Sequence, residues 1–232
     1  MREITGHTRI YGILADPIHH VKAPQLMNPV FEAQGFDGVM VPIHVRPQDL
    51  GTVLQGLRAQ QNFGGFVATV PHKTAMLAHC DTLTEAARQI GAVNIVRRLP
   101  DGRLHGGMLD GDGFVAGLRS CGIEPAGRSA YLAGAGGAAS AIAFALAANG
   151  VSRLTVYNRT TDKARELIER IAQARLQPEQ TVAEIIMQPV ETALLKAAQA
   201  RGCRIQYGKP MLACQIELMA AFMGAPIVPC MA

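Results

Sequence analysis

The sequence predicts an α/β fold divided into two domains. Strand-like and helix-like segments alternate along the N-terminal half, and a glycine-rich turn joins a strand to a helix further along the chain. At about 100–200 residues per domain, 232 residues suffice for one large domain or two modest ones. Right-handed crossovers between successive strands would give a mainly parallel sheet with helices on its faces.

In the N-terminal half, strand-like runs such as "RIYGILA" and "GVMVPIHV" alternate with segments of helical periodicity. Strands are predicted over 9–15, 38–45, 64–70 and 92–98, and helices over 23–34, 47–59 and 81–90. The helix over 81–90 begins with the pattern Thr82-x-x-Glu85, which is typical of a capping box.

A second βαβ unit begins near Asp110. Helices are predicted over 110–120 and 138–148, strands over 129–133 and 153–157, and the turn Gly134-Ala135-Gly136-Gly137 stands between strand and helix. Such a turn lets backbone N–H groups at a helix N-terminus approach a pyrophosphate. A close-packed structural turn has a similar sequence, so both interpretations stay open at this point.

The segment Asn158-Arg159-Thr160 follows the next strand, and Asn158 comes 24 residues after Gly134. Units that bind NAD usually carry Asp or Glu here, which hydrogen-bonds the ribose 2′-hydroxyl. A guanidinium suits a 2′-phosphate instead, so motif and spacing together favour NADP over NAD. The alternative is a surface arginine beside Thr160 acting as an N-cap.

Composition excludes several classes of protein. Apolar residues make up 49% and charged residues 17% of the chain, and the mean hydropathy is +0.15, values that indicate a folded globular protein. The apolar run over 138–148 is shorter than the ~18–20 residues of a membrane span, and no signal-peptide leader opens the chain. We therefore expect a soluble, cytoplasmic protein with no membrane partner.

Charge and metal-ligating residues point away from nucleic acids and metals. Lys and Arg exceed Asp and Glu by four, but these charges are scattered rather than gathered into basic blocks. The five cysteines include no CxxC pair, and the histidines show no metal-ligand spacing. We expect no nucleic-acid partner, no metal site and reduced, structural cysteines.

Short motifs in a fixed order cover most of the chain. They are Asp16-Pro17-Ile18-x-His20-x-Lys22-x-Pro24, Thr69-Val70-Pro71-His72-Lys73, Gly91-Ala92-Val93-Asn94, Asp110-Gly111-x-Gly113, Gly134-Ala135-Gly136-Gly137, Asn158-Arg159-Thr160, and Gly208-x-x-Met211 followed by Gln215. Each motif is weak alone, but the ordered set is specific. The chain resembles the shikimate/quinate dehydrogenase family.

The resemblance implies a two-domain enzyme. It implies an α/β substrate-binding domain over 1–108 and 209–232, a Rossmann-type NADP-binding domain over 109–208, and an active site in the interdomain cleft. It also assigns the nucleotide contacts, which are Gly134, Ala135, Gly136, Gly137, Ala138, Asn158, Arg159, Thr160 and Gly208.

By the same resemblance, Lys73 and Asp110 form the catalytic pair. Hydride can leave a secondary alcohol carbon only if the hydroxyl proton also leaves, so a base must lie within hydrogen-bond reach of that oxygen. Asp110 would hold the ammonium and take part in the proton relay. The alternative is an ordinary exposed lysine and an aspartate that caps a helix.

Three further residues match family positions that hydrogen-bond the ring hydroxyls of the substrate, namely Thr69, Asn94 and Gln215. Such groups reject analogues that lack a hydroxyl, because the protein group would be left unpaired. Asn94 could instead satisfy backbone groups in a turn, and Gln215 could be a solvated helix residue.

The substrate-binding residues depart from the family at one end of the ligand. Two serines and a tyrosine that hold the substrate carboxylate in the family correspond here to Val21, Ala23 and Met187. An unpaired buried carboxylate would cost several kcal/mol, so three simultaneous losses indicate that no carboxylate is bound there. Val67 and the pair Met108-Leu109 also replace polar family residues.

A second departure concerns length. Only Arg175–Gln180 separate a helix predicted over 161–174 from the late strand of "TVAEII", so the family's intervening strands are absent. We expect residues to be missing from this sequence between Ile171 and Val182. A real deletion is the alternative, and it would expose core and sheet edges.

These observations predict an NADP-dependent oxidoreductase that transfers hydride between NADP(H) and a secondary alcohol or ketone of a small cyclic polyol. Shikimate itself is expected to be a poor substrate. The alternative function is a ligand- or nucleotide-binding sensor that has lost turnover. We expect a monomer or a homodimer.

Overall fold

A computed structural model describes residues 3–134, 136–157 and 181–225. The chain divides into two compact units, which we call the first unit (Met1–Leu109 with Ile216–Ala232) and the second unit (Asp110–Gln215). Within the described ranges, no helix combines the length and apolar composition needed to cross a membrane.

The described part of the first unit contains a six-stranded sheet. Its strands are β1 (Arg9–Ala15), β2 (Gly38–His44), β3 (Phe63–Ala68), β4 (Thr82–Leu83), β5 (Ile95–Arg98) and β6 (Leu104–Gly107), in the spatial order β2-β1-β3-β5-β6-β4. β1 pairs in parallel with β2 and β3, as expected for crossover connections. β4 is also parallel to β6, so most pairings of the sheet are parallel as expected, but β5 is antiparallel to both β3 and β6 and makes the sheet a mixed one.

A tight hairpin explains the antiparallel half. The N–H of Leu99 donates to the carbonyl of Arg103 over 2.8 Å, and Gly102 between them has a φ of 85°. So short a connection can join only antiparallel strands.

The helices of the first unit follow the strands closely. They are α1 (Ala23–Ala33), α2 (Leu50–Ala59) and α3 (Glu85–Ile90), with 3₁₀ turns over Pro47–Asp49 and Ala75–His79. The predicted helix start at Asp81 and Thr82 is wrong. Thr82 lies in β4, while Thr84 caps α3 by accepting a hydrogen bond from the N–H of Ala87 at 3.2 Å.

The core of the first unit forms around Tyr11 on β1. The ring of Tyr11 lies 5.3 Å from that of Phe31 on α1, and its hydroxyl donates to the carbonyl of Met223 over 3.3 Å. Burial raises the pKa of this hydroxyl. Gly64 on β3 leaves the room for the ring, because a Cβ at this position would lie 2.4 Å from it.

The second unit contains α4 (Asp110–Ser120), β7 (Ser129–Ala133), α5 (Gly137–Ala148), β8 (Arg153–Tyr157), β9 (Thr181–Ala183), α6 (Ala193–Ala200), β10 (Arg204–Gln206) and the N-terminal part of α7 (Gly208–Phe222). β7 pairs in parallel with β8, and β9 with β10. Among the described residues, these strands form two separate ladders. The late strand predicted from "TVAEII" is β9. The helix predicted over 161–174 lies outside the described residues.

Close helix packing builds the core of this unit. Phe114, Leu118, Ile142, Leu146 and Met211 are among its buried residues. A Cβ at Gly111 would lie 2.4 Å from the carbonyl oxygen of Ala141, so the glycine is required where α4 packs against α5.

The buried side-chain amide of Gln206 on β10 is expected to lower the stability of the protein. It is only 1% exposed, and neither its amide nitrogen nor its amide oxygen has a partner in the described part of the chain. Each such unsatisfied group costs about 1–3 kcal/mol. We therefore expect Gln206→Met, which keeps the length of the side chain, to raise the free energy of unfolding by about 1–3 kcal/mol.

Thermal and urea unfolding followed by circular dichroism would measure this change. Gln199→Met, on the exposed face of α6, is the matched control and should alter stability by less than about 0.5 kcal/mol. A lower Tm for the Gln206 variant would show that the buried amide does have a stabilising partner.

Candidate active site

The loop that carries Lys73 follows β3 directly and is held by backbone hydrogen bonds. The N–H of Thr69 donates to the carbonyl of Leu14 (3.1 Å), and that of Val93 donates to the carbonyl of Lys73 (2.9 Å). Thr69 and Lys73 are both half-buried. Because β1 and β3 are parallel, this loop and the segment after β1 meet at the same edge of the sheet.

His72 anchors this loop. Its side chain is 1% exposed, and Nε2 donates to the carbonyl of Val45 over 2.9 Å. Burial lowers the pKa of the imidazole, which favours the neutral form. Its neighbour Lys73 therefore stands on a loop fixed to the end of β2. The motif contained His72, but nothing in the sequence distinguished this anchoring role.

Asn94 binds the backbone at the same sheet edge. It is 1% exposed, and its Oδ1 accepts a hydrogen bond from the N–H of Leu109 at 2.9 Å. The oxygen of Asn94 thus hydrogen-bonds a backbone group, which is the alternative that the sequence analysis left open. The bond is made to the residue immediately before Asp110 in the chain.

Asp110 is the first residue of α4 and is 3% exposed. The amide Nε2 of Gln215 on α7 donates to its Oδ1 over 2.7 Å. Gln215 is itself 5% exposed, so it is a buried residue and not a solvated one. The structure therefore brings two of the predicted site residues into direct contact.

The former carboxylate end is the name we give to the three residues that the resemblance places where the family holds a carboxylate, and all three are apolar: Val21, Ala23 and Met187. Val21 is half-buried and lines an open cavity of about 620 Å³ with Ile18, His19 and Pro24, all in the first unit. Ala23, the first residue of α1, is buried in the core. In the second unit, Met187 is half-buried in the segment between β9 and α6. None of the three side chains can donate a hydrogen bond to a carboxylate.

Other polar-to-apolar changes are also buried. Val67 on β3 is 4% exposed and Met108 is 3% exposed. The nearby carboxylate of Asp16 accepts a hydrogen bond from His44 Nε2 at 2.7 Å.

The glycine-rich turn of the second unit lies between β7 and α5. Gly134, the first residue of the turn, has a φ of 120°, a backbone conformation that residues with a side chain rarely adopt. Gly136 is the N-cap residue of α5, and the space where a Cβ would lie is open. Gly137 and Ala138 form the first turn of the helix, whose N–H groups favour an anion. The described residues of the turn therefore fit a nucleotide diphosphate.

Four other predicted nucleotide contacts fall in parts of the chain that the structure does not describe. Ala135, Asn158, Arg159 and Thr160 lie outside the described residues. So does nearly all of the segment between Ile171 and Val182, and the expectation of missing residues there stays a prediction.

Gly208 has a packing role in the structure. A Cβ on this buried residue would lie 2.7 Å from the carbonyl oxygen of Ile186. The glycine lets the start of α7 approach the backbone that leads to Met187. A nucleotide contact at Gly208 stays a prediction.

The described residues offer no metal centre at this site. Within ranges 3–134, 136–157 and 181–225, no group of three or more His, Cys, Asp or Glu side chains is arranged to hold a metal. Burial raises the pKa of the Cys80 thiol to about 12, so it stays protonated at neutral pH.

Two family models match the chain. "Shikimate dehydrogenase substrate binding domain" matches residues 13–96, and "Shikimate / quinate 5-dehydrogenase" matches residues 121–195. The shikimate dehydrogenase (NADP(+)) of Acidiphilium cryptum is 34% identical over 263 residues, covering 97% of this chain and 94% of the relative. The chain belongs to the shikimate/quinate dehydrogenase family.

A second relative matches more strongly over a shorter region. The shikimate dehydrogenase (NADP(+)) of Rubrobacter xylanophilus is 46% identical over 168 residues, which are 72% of this chain and 59% of the relative. The chain thus spans less than two thirds of that relative's length in this match. The Acidiphilium alignment is longer than this chain, so that relative carries residues that this shikimate dehydrogenase family member lacks.

Solved structures agree on the fold. The shikimate 5-dehydrogenase of Listeria monocytogenes, in complex with shikimate and NAD, has a TM-score of 0.85 at 28% identity and covers 99% of this chain and 96% of its own. The ligand-free 5-ketofructose reductase of Gluconobacter sp. strain CHM43 has a TM-score of 0.79 at 28% identity, covering 93% and 92%. The predicted α/β fold, with a substrate-binding domain and a Rossmann-type domain, is confirmed.

Proposed function

We propose that this protein is an NADP-dependent oxidoreductase that transfers hydride between NADP(H) and a secondary alcohol or ketone of a cyclic, polyol-like substrate without a carboxylate. The observation that carries the proposal is a contrast between the two ends of the site. The end that we call the reacting end keeps the residue types of the family, at Lys73, Asp110, Asn94 and Gln215. The end that we call the anchoring end carries no hydroxyl group, at Val21, Ala23 and Met187.

At the reacting end, we assign Lys73 and Asp110 to proton transfer. The loop of Lys73 is joined to Val93 by a backbone hydrogen bond, and Asn94 holds Leu109, the residue before Asp110. In alcohol oxidation the amine takes the hydroxyl proton, and in ketone reduction the ammonium returns it. Thr69 and the amide of Asn94 are the proposed polar contacts of the substrate hydroxyls.

For the nucleotide, the relatives named above carry NADP in their names. The turn at Gly134, Gly136 and Gly137 would hold the diphosphate, and Arg159 the 2′-phosphate. When bound, NADP(H) supplies or accepts the hydride.

For the substrate, the anchoring end argues against shikimate. A carboxylate placed against Val21, Ala23 and Met187 would lose its hydration without gaining hydrogen bonds, at a cost of several kcal/mol. The resemblance to a 5-ketofructose reductase adds support, because 5-ketofructose is a sugar without a carboxylate. We propose neutral keto sugars and cyclic polyols as the substrate class.

Steady-state NADPH oxidation would test this function. A panel of carboxylate-free keto sugars and cyclic hydroxyketones is compared with 3-dehydroshikimate at equal concentrations, and NADPH binding is titrated by fluorescence. We expect at least one neutral ketone to exceed 3-dehydroshikimate in kcat/KM by tenfold or more, about 1.4 kcal/mol. A preference for 3-dehydroshikimate would overturn the substrate class, and tight NADPH binding without any turnover would favour a sensor.

The cofactor assignment predicts the effect of Arg159→Asp. A phosphate–arginine pair contributes roughly 1.5–3 kcal/mol, so this change should weaken NADP(H) binding by about ten- to a hundredfold. NAD(H), which lacks the 2′-phosphate, should bind almost as before. Fluorescence titration of both nucleotides measures the ratio, and an equal loss for the two would refute the role. Arg201→Asp, on the second unit after α6, is the charge-matched control.

A further inference from the structure

The hydrogen bond between Gln215 and Asp110 joins the two ends of the second unit. Asp110 is the first residue of this unit and Gln215 the last. They are separated by 105 positions along the chain, yet Nε2 and Oδ1 lie 2.7 Å apart, and both residues are at least nine-tenths buried. A charged acceptor and an amide donor in such a setting make a stronger bond than a neutral pair in water.

The packing of α4 against α7 creates this bond. A Cβ at Gly113 would lie 2.8 Å from Cβ of Gln215, and one at Gly117 would lie 2.9 Å from the backbone nitrogen of Met211. Two glycines one helical turn apart on α4 thus face two residues one turn apart on α7. Without side chains at 113 and 117, the helices approach closely enough for the amide of Gln215 to meet Asp110 at the start of α4.

We propose that Gln215 is a positioning residue for the carboxylate of Asp110, a role that rests on the proposed function. Its amide fixes the rotation of the carboxyl group through one oxygen. The second oxygen is then also held in a single direction. A carboxylate that rotated freely would spend part of its time misaligned, which costs rate rather than substrate affinity.

This role predicts a split between rate and affinity. Gln215→Glu is isosteric but replaces the donor with a second carboxyl group beside Asp110. Two carboxyl groups at this distance must share a proton, which moves the acid limb of the pH–rate profile upward by about one pH unit or more. We expect kcat at pH 7 to fall about tenfold and KM to change by less than about threefold.

Two companion variants make the test specific. Gln215→Met keeps the length of the side chain and removes the donor, so it should also lower kcat with little effect on KM. Ala213→Glu places the same new charge on an exposed position of α7 and should leave kcat, KM and the acid limb unchanged.

A readout independent of turnover separates this inference from the proposed function. Carbon-13 NMR of aspartate carboxyl groups follows the titration of Asp110, identified by its loss in Asp110→Asn. Its midpoint should move to higher pH in Gln215→Glu, whether or not a substrate has been found. Absence of turnover in the wild type on every ketone tested would overturn the proposed function alone. An active enzyme whose Gln215 variants raise KM, with kcat and the acid limb unmoved, would overturn the positioning role.

Discussion

Replacing Lys73 by methionine is expected to lower kcat by about 10²–10⁴-fold, the range typical of losing a general acid–base. Methionine preserves much of the length of the aliphatic stem but cannot accept the hydroxyl proton or return it. The backbone of Lys73 would still accept the hydrogen bond from Val93, so the loop should keep its shape. Stopped-flow oxidation of NADPH with the best ketone from the panel measures the loss directly.

Nucleotide binding provides the internal check on this variant. NADPH affinity should stay within about twofold, since the charge of Lys73 is not assigned to the nucleotide. Lys196→Met is the matched control, because Lys196 is exposed on α6 and pairs only weakly with Glu191 at 4.0 Å. Retention of a third or more of the wild-type kcat by Lys73→Met would rule out the proton-transfer role.

Much of the fold could be predicted because helical periodicity and strand runs are clear where one face is buried. The bounds of β1, β7, β8 and α4 agree with the prediction to the residue. β6 was missed because "LHGG" contains two glycines and reads as a turn. That omission also hid the β5–β6 hairpin and its antiparallel pairing.

The helix cap at α3 shows a different limit. Thr82 stands three residues before Glu85 and Thr84 stands directly before it, and a threonine can act either as an N-cap or as a strand residue. Thr82 is a strand residue because β4 pairs with β6, and its hydroxyl contacts His105 Nδ1 at 2.8 Å. A contact with a distant strand decided the cap, and no local pattern contains that information.

The candidate site, like the fold, could be predicted only in part from the sequence. The residue types at positions 73, 94, 110 and 215 follow from local motifs. Their mutual contacts do not, because the Gln215–Asp110 bond depends on how α4 packs against α7. Gly113 and Gly117 were the one available signal, since two glycines spaced by four on a helix indicate a close neighbour.

Restoring the hydroxyl groups at the former carboxylate end should create activity toward shikimate. Each hydrogen bond from a hydroxyl to a charged carboxylate contributes about 1.5–3 kcal/mol. Val21→Ser with Ala23→Ser should therefore raise kcat/KM for shikimate oxidation by at least about tenfold, allowing for imperfect geometry. Adding Met187→Tyr should raise it further, because the third lost donor returns.

The same substitutions should have the opposite effect on a neutral substrate. Three hydroxyl groups with no carboxylate to bind would be left facing an uncharged part of the ligand, so kcat/KM for the best neutral ketone should fall. Val41→Ser with Ala33→Ser repeats the chemistry of the double variant at exposed positions of β2 and α1, and it should change neither substrate preference. If shikimate activity stays unchanged in the triple variant while Tm and NADPH binding are normal, the three apolar residues are not what excludes the carboxylate. The specificity would then have to reside elsewhere, with buried Val67 and Met108 as the next positions to restore.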